Sequence, residues 1–420
     1  MTGRLIQLLR LALADLRGEW PVALAQVIAI AAVLTPLLVL FGLHQGAIGT
    51  LIARLDHDPA MRLITPEATG ANRFDAAWFA RMAGRPDVAF VIPSTRSIAG
   101  QIDLLPATPQ PGASRVEVRT TLVPTAPGDP VTGTAAAAVA PPSDAAPGAV
   151  ADMVALSARA AGRLGVAAGD TVTAFVERVR GGRVEPLAVP LTVAAVLAPQ
   201  NDGGTTAYGS LALVEAVQDF RDGKAVPALG VTVGEPAQAA ADYPLFRLYA
   251  RSIRGVQPVA AALEAEGVTV ATRRAEIASA LSLDDSLRAV LLIISSLSVA
   301  GYVVAVTAGQ WGNLRRKRRD LAILNLTGYG TGWMVAFPVA QAAVLAAAGG
   351  VAAVAGFTAA AAAINTLFHA SIAHGEAACR LDGASLLAAA VVTVILSMAP
   401  AAAVGLAFRR IDVNEELRHV

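Results

Sequence analysis

Two lysines are the first side chains to consider for phosphate chemistry. An ATPase of the common loop type needs the pattern G-x-x-x-x-G-K-[ST], in which backbone amides and one lysine hold the phosphates. Lys224 stands in RDGKAV and Lys317 in RRKRRD, so neither fits that pattern. No nucleophile elbow or serine, histidine and aspartate set is recognisable either. We therefore expect that the chain is not an enzyme and that any ATP hydrolysis belongs to a separate subunit.

Histidines and the single cysteine could bind a metal. Two groups of possible ligands occur, namely Asp56–Asp58 (DHD) and the segment that holds His369, His374, Glu376 and Cys379. Neither group offers a complete ligand set at a recognised spacing. We expect solvated histidines, no metal site and no cofactor. One cysteine also excludes an internal disulfide framework.

The segment Arg315–Gly332, RRKRRDLAILNLTGYGTG, combines a basic run with an apolar run. A basic loop alone explains Arg315–Arg319, but not the leucines and isoleucine that follow. A short helix with Leu321 and Leu324 on one face, ended by Gly328, would present an apolar patch next to a basic segment. The segment therefore favours docking into a groove on a cytoplasmic partner.

Composition restricts the kind of protein that carries this segment. The chain has 420 residues, of which 55% are apolar and 15% charged, and its mean hydropathy is +0.56. Soluble domains carry about 25% charged residues. The net charge of +1 disfavours nucleic-acid binding. We predict an integral membrane protein with a large part outside the membrane.

Four uncharged stretches are long enough to cross a bilayer. The first is longer than the apolar core of a cleaved signal peptide, so we expect an uncleaved anchor. The predicted fold is an α+β membrane protein with four transmembrane helices and a large periplasmic α/β insert between helices 1 and 2. The predicted segments are 1–20 (cytoplasmic), 21–45 (first span), 46–285 (periplasmic), 286–311 (second span), 312–332 (cytoplasmic coupling loop), 333–368 (third span), 369–383 (short periplasmic loop), 384–408 (fourth span) and 409–420 (cytoplasmic tail).

Charge predicts the orientation. The N-terminal segment, the loop after the second span and the tail together hold 11 basic and six acidic side chains. Residues 46–285 hold 20 basic and 24 acidic ones. The positive-inside rule therefore places both termini in the cytoplasm and the insert outside.

Helix and strand patterns alternate in the insert, which indicates α+β or α/β subdomains. The Ala-, Pro- and Gly-rich stretch 125–150 is either a boundary between two subdomains or a long surface loop. The predicted helices are Phe74–Met82, Ser157–Leu164, Ser210–Phe220 and Pro258–Glu266. The predicted strands are Val88–Ile92, Arg115–Val123, Thr171–Val176, Leu187–Leu197 and Gly267–Thr272.

Ionisable side chains are missing from the four apolar cores, which disfavours a proton-coupled carrier. Gln341 and Asn365 are the most polar groups of the third span, and we expect them to make ordinary interhelical hydrogen bonds. The same span is rich in small residues. These residues let helices approach closely, and dimerisation, either there through Gly350 and Gly356 or through the first span, is a hypothesis.

Three segments resemble the FtsX-like permeases, the MacB, LolC and LolE group (type VII) of ABC transporter subunits. The loop is similar to the family pattern E-I-x-x-L-R-A-L-G-A, although Asn325 stands where arginine is usual. The tail RRIDVNEEL resembles R-x-x-P-x-E-A-L-R, with Val413 in place of proline. Leu156–Val172 is similar to the family's L-S-x-x-x-A-x-x-L-G-x-x-x-G-D-x-V segment. The resemblance extends to the whole topology.

The resemblance implies a bacterial inner-membrane complex of two permease chains, homo- or heterodimeric, with two cytoplasmic ABC ATPase chains. A periplasmic adaptor or lipoprotein and membrane lipid are further expected partners. ATP-driven motion would pass through the coupling loop to the periplasm (mechanotransmission). The residues expected to contact the ATPase are Arg318, Arg319, Asp320, Leu321, Ile323, Leu324, Asn325, Leu326 and Gly328, and in the tail Glu416, Leu417 and Arg418.

Two roles remain open at the level of sequence. The first is export, or the handling of a lipoprotein or other periplasmic substrate. The second is a regulator or signalling complex without a translocated substrate, as in FtsX or in the permease of the type VI secretion phosphorylation pathway. A membrane enzyme or carrier outside the ABC class is a third, less favoured reading.

Overall fold

The computed structural model of the protein describes residues 2–67, 72–95, 100–107, 116–140, 150–238, 240–316, 332–368 and 377–408. The chain forms two compact units. The helical unit comprises Met1–Ile52 and Ala280–Val420, and the insert unit comprises Ala53–Ser279. The structure is therefore mixed α+β, as the sequence predicts.

Four helices among the described residues are long and apolar enough to cross a membrane, which confirms the predicted number. They span Trp20–His57, Arg274–Arg316, Val335–Phe368 and Gly383–Ala407. The first and second continue well beyond their apolar runs, because polar residues extend the same helix at the end that leads into the insert sequence.

Helices are numbered in chain order over the whole chain, so the helices of the insert unit, described below, take the numbers between those of the helical unit. The helices of the helical unit are α1 (Thr2–Gly18), α2 (Trp20–Leu43), a π-helical segment (His44–Ile48), α3 (Gly49–His57), α10 (Arg274–Arg316), α11 (Gly332–Phe368) and α12 (Gly383–Phe408).

Small residues hold α2 against α11. A Cβ atom added at Gly349 would lie 2.6 Å from Ile30 Cγ2, and one added at Gly356 would lie 3.0 Å from Thr35 Oγ1. Ala353, between these glycines, is fully buried. The small-residue stripe of the third span therefore packs against the first span of the same chain, and Gly356 is engaged in that contact. Within 4 Å, a Cβ added at Gly350 would meet no other described residue.

A second close contact joins the π-helical segment to residues 377–382. The backbone of Gly46 packs directly on the carbonyl group of Ala378, and Gly42 faces the Cys379 thiol. Asn365 fixes this segment because its side-chain amide donates to the Cys379 carbonyl (3.1 Å) and accepts from the Cys379 N–H (2.9 Å). Asn365 therefore bonds to a loop and not to another helix, so the expectation of an interhelical hydrogen bond is wrong for this residue.

The insert unit contains a four-stranded antiparallel sheet in the order β14-β1-β13-β3. Its strands are β1 (Leu63–Pro66), β3 (Val88–Ser94), β13 (Leu245–Ala250) and β14 (Val270–Ala271). Helices α5 (Ala76–Ala83) and α9 (Ile253–Ala265) contribute buried apolar side chains, among them Trp78, Val256 and Leu263. Helix α9 begins five residues before the predicted Pro258.

A closed six-stranded barrel, in the order β4-β5-β9-β6-β8-β7, lies between β3 and β13 in the sequence. Its strands are β4 (Gln101–Pro106), β5 (Val118–Pro124), β6 (Met153–Leu156), β7 (Thr171–Arg180), β8 (Arg183–Val196) and β9 (Thr206–Gly209). Helices α7 (Ala158–Leu164) and α8 (Leu211–Arg221) pack on the same apolar core. The insert elements also include α4 (Pro59–Arg62), α6 (Ala135–Val139), β2 (Phe74–Asp75), β10 (Lys224–Ala225), β11 (Glu235–Pro236) and β12 (Asp242–Tyr243).

Residues 125–140 join the barrel to the sheet. Their composition is that of a loop, but they form a buried turn and the short helix α6, and they pack with sheet residues Phe90 and Tyr249. The difference arises from Asp129, whose carboxylate accepts from Arg247 Nη2 (3.0 Å) and Thr125 Oγ1 (3.0 Å). These bonds satisfy polar groups that a loop would leave to water. The rest of the predicted boundary, 141–149, lies outside the described residues.

Candidate functional site at the basic end of the helical unit

The residues predicted to contact an ATPase lie outside the described residues. This holds for Arg318, Arg319, Asp320, Leu321, Ile323, Leu324, Asn325, Leu326 and Gly328, and for Glu416, Leu417 and Arg418. The structure describes both flanks of the loop. Helix α10 ends at Arg316 and helix α11 begins at Gly332. We call this end of the helices the basic end.

A chain of polar side chains crosses three helices near the basic end. Gln341 of α11 donates from Nε2 to the Asp15 carboxylate of α1. Its Oε1 accepts from Asn313 Nδ2 of α10 at 3.4 Å. One buried amide therefore links α1, α11 and α10, and the expected interhelical hydrogen bonding of Gln341 is confirmed. We call Asp15, Gln341 and Asn313 the polar triad.

Burial makes the triad sensitive to helix displacement. Gln341 is 1% exposed and Asn313 is 9% exposed. Inside a membrane, a displaced amide finds few alternative partners, so each hydrogen bond favours one relative position of the helices. Two members of the triad lie close to the loop in the sequence, since Asn313 is three residues before Arg316 and Gln341 is nine after Gly332.

A cavity of about 130 Å³ lies between α2, α10, α11 and α12, and its lining includes Ala342, the residue after Gln341. Apolar side chains such as Ile30 and Leu345 form most of its wall, and Gln26, Gln310, Tyr302 and Ser397 supply polar groups. Gln310 is 4% exposed, and its Oε1 has no hydrogen-bond partner among the described residues. Packing between α10 and α2 is therefore incomplete on this side.

Among the described residues, one side-chain hydrogen bond joins helices α10 and α12 on the wall of this cavity. Tyr302 Oη and Ser397 Oγ lie 2.5 Å apart, and both residues are buried. Leu314 and Val404 form a small apolar contact nearer the basic end. Helix α10 is thus held in the helical unit by a few side-chain contacts, with most of its apolar surface exposed.

The histidines show no metal centre among the described residues. His44 Nε2 lies 3.1 Å from Asp284 Oδ1 and therefore joins the π-helical segment to α10. His369, His374 and Glu376 lie outside the described residues, as does His419. Cys379 is a buried free thiol, and burial raises its pKa.

The DHD group has structural roles. Asp56 accepts from the Ile253 N–H (2.7 Å) at the start of α9. Asp58 accepts from the Ala60 N–H (2.9 Å) as the N-cap of α4. His57 Nδ1 lies 2.7 Å from the Ala53 carbonyl oxygen of its own helix. Each side chain therefore satisfies a backbone group, as capping residues usually do.

Sequence reasoning found only part of the polar triad. Gln341 was evident as a polar residue within an apolar span. Asp15 and Asn313 lie beyond the apolar cores, where charged and amide residues are common, so their types gave no signal. The tertiary contact alone brings them together.

Comparison with known proteins adds no identification. No protein-family model matches the chain, and no curated protein is significantly similar to it.

Proposed function

We propose that the protein is the permease subunit of an FtsX-like ABC transporter in the bacterial inner membrane. In this proposal both termini and the basic end are cytoplasmic, and the insert unit is periplasmic. Two permease chains bind two ATPase chains through Arg318–Gly328 and the tail. Nucleotide-driven motion is transmitted to the periplasm, where it serves export or the handling of a lipoprotein or other periplasmic substrate.

Helix α10 is the observation that carries the proposal. It is a single helix of 43 residues, Arg274–Arg316, and at 1.5 Å per residue it is about 65 Å long. It begins three residues after the last sheet strand, β14, and ends at Arg316, within the basic run Arg315–Arg319. A continuous helix transmits an axial push or a tilt better than a jointed segment, because its hydrogen bonds follow the axis.

The polar triad supports a role for this helix as a moving part. Asn313 lies one turn before the end of α10 and bonds to Gln341, which also holds α1. A force applied to the basic loop would reach Asn313 first. Breaking or keeping its bond to Gln341 distinguishes two positions of α10, as a switch element requires.

The apolar spans argue that a substrate does not pass between them. The four apolar cores carry no Asp, Glu, His, Lys or Arg, and the cavity of about 130 Å³ near the basic end is too small for a peptide or a lipid. This favours work done outside the membrane, which suits a mechanotransmitting permease and also suits a regulator that moves nothing.

The test is a cross-linked purification of the tagged full-length protein from its native membranes, with the partners identified by mass spectrometry. We expect an ABC ATPase from the wild-type protein and at least a tenfold loss of it from Leu324→Glu. A glutamate in this apolar patch would place an unpaired carboxylate in the docking groove of the partner, and burying such a charge weakens binding. Thr331→Glu adds the same charge in the same loop and is the matched control.

Each outcome has a distinct meaning. Normal ATPase recovery with Leu324→Glu would show that the loop is not the coupling element. Absence of an ATPase from the wild-type sample would overturn the ABC proposal. An adaptor or outer-membrane channel beside the ATPase supports export, whereas a lipoprotein, amidase or kinase-pathway protein supports the regulatory role.

A further inference from the structure

We propose that a cleft at the other end of the helical unit binds one phospholipid of the surrounding bilayer. The cleft has a volume of about 680 Å³, within the range of roughly 300–1,000 Å³ that is typical of small-ligand sites. It opens between the α2–α3 helix, α10 and α12. This inference requires only that the four helices span a membrane, and it does not rest on the ATPase partnership.

The floor of the cleft is apolar. Leu38 and Leu291 are buried there, and Leu381 and Ala389 pack in the same region. Phe41 and Leu292 extend this surface toward the opening and remain 41% and 62% exposed. A surface of this kind is suited to the methylene groups of an acyl chain, which it would remove from contact with water.

The mouth of the cleft is polar and offers one cation. Arg288 lines it and has no ion-pair partner among the described residues. Asp284, the carboxylate that lines the cleft, is engaged because it pairs with His44 at 3.1 Å. Asp382, next to the lining residue Leu381, accepts from Ser385 Oγ (2.5 Å) and Gln45 Nε2 (3.4 Å). The guanidinium of Arg288 is therefore the group at the mouth that is suited to a phosphate.

The level of the cleft favours a lipid over a soluble ligand. The apolar run of α2 ends at Leu43, that of α10 begins at Ala289, and that of α12 begins at Ala384. The lining residues of α2 and α10 straddle this boundary: the side chains nearest to it are polar on one side (His44, Gln45, Asp284 and Arg288) and apolar on the other (Leu38, Phe41, Leu291 and Leu292). In a bilayer the same boundary separates phosphate groups from acyl chains.

One of the helices at the mouth of the cleft has an unusual backbone geometry. Residues His44–Ile48 form a π-helical turn between α2 and α3. Such turns are rare and often occur at functional sites. The π turn carries both His44 and Gln45, and the pairing of His44 with Asp284 helps keep that carboxylate from competing for Arg288.

The experiment is native mass spectrometry of the full-length protein in detergent, titrated with dioleoylphosphatidylglycerol. We expect one lipid to be retained more tightly than the rest. Arg288→Gln should weaken that binding about tenfold or more, as expected when a charge-assisted hydrogen bond to phosphate is lost. Ala389→Phe should weaken it to a similar degree because it fills the floor of the cleft.

Two controls keep the test specific. Val391→Phe makes the same kind of change at an exposed position of the same helix and should bind lipid like the wild type. Inorganic phosphate at millimolar concentration should not displace the lipid, because it lacks the acyl chain. The proposal is overturned if the wild type retains no preferred lipid, if Arg288→Gln binds equally well, or if phosphate alone competes.

Discussion

The insert unit and the helical unit achieve close packing by different means. The insert buries large aliphatic and aromatic side chains in its barrel and sheet, together with the ion pair of Arg247 and Asp129, whose side chains are 9% and 0% exposed. The helical unit brings backbones together over Gly349, Ala353 and Gly356. Burial from water stabilises the first kind of core, whereas contact distance and a few hydrogen bonds stabilise the second. We therefore expect stability to depend on buried side chains and their ion pair in the insert unit, and on the space between helix backbones in the helical unit.

Cys379 allows the two units to be measured separately. It is the only cysteine of the chain, is 2% exposed, and belongs to the helical unit. A thiolate is the reactive form, and burial that raises the thiol pKa suppresses it. The rate of Cys379 labelling thus reports opening of the helical unit, while pulse proteolysis of peptides from 53–279 reports the insert.

The largest effect is expected in the insert, from Asp129→Ala. This change leaves the buried Arg247 without its carboxylate and should cost about 3–5 kcal/mol of insert stability. Pulse proteolysis in urea measures it, and Cys379 labelling should not change. Asp242→Ala, which removes an exposed ion pair with Arg73 (3.3 Å), should cost about 1 kcal/mol or less. Equal losses from the two variants would contradict the account.

The next effect is expected in the helical unit, from Gly349→Ala. The added methyl would lie 2.6 Å from Ile30 Cγ2, and relieving this overlap should cost about 1–3 kcal/mol. Gly350→Ala adds the same atom where no described residue stands within 4 Å, so it should be neutral or stabilising. Faster Cys379 labelling in the first variant only is the expected result, and similar rates in both would refute the packing argument.

A smaller effect is expected at the basic end, from a matched pair of glutamines. Gln341→Leu removes two hydrogen bonds and should destabilise the helical unit by about 1–2 kcal/mol. Gln310→Leu removes an amide oxygen that has no partner among the described residues, so it should be neutral or stabilising. Thermal labelling of Cys379 compares them. Equal destabilisation would mean that the triad does not contribute as described.

The smallest effect concerns pH. The hydrogen bonds from Arg85 Nε (3.0 Å) and Nη2 (2.7 Å) lower the pKa of the Asp87 carboxyl. A carboxyl whose folded pKa is lowered adds stability above its unfolded pKa and loses it as the pH falls through the folded pKa. Arg85→Gln should therefore destabilise the insert slightly at pH 7 and by less at pH 3. A constant difference at both pH values would contradict this.

Sequence periodicity predicted the elements that bury one continuous face. The four spans follow from uninterrupted apolar runs, and α7 and α8 agree with prediction because Ser157 and Ser210 cap them. Strands β6 and β9 escaped notice because each has only four residues. Strand β13 was not predicted because it is buried on both faces and because Arg247 interrupts its apolar pattern.

Long-range contacts explain what the sequence could not predict. Closure of the barrel depends on parallel pairings of β5 with β9 and of β6 with β8, which leave no local signal. The early start of α9 depends on the carboxylate of Asp56, 197 positions away from Ile253. The polar triad likewise joins Asp15 to Gln341 across 326 positions.

The most direct test of the central claim is hydrogen exchange of the purified complex with its ATPase, compared between ATP and ADP. The account predicts that exchange changes both in the loop 312–332 and in peptides that cover Arg274–Arg288 at the far end of α10, and that Gln341→Leu reduces the distant change. A nucleotide effect confined to the loop, with the start of α10 unaltered, would contradict transmission along this helix.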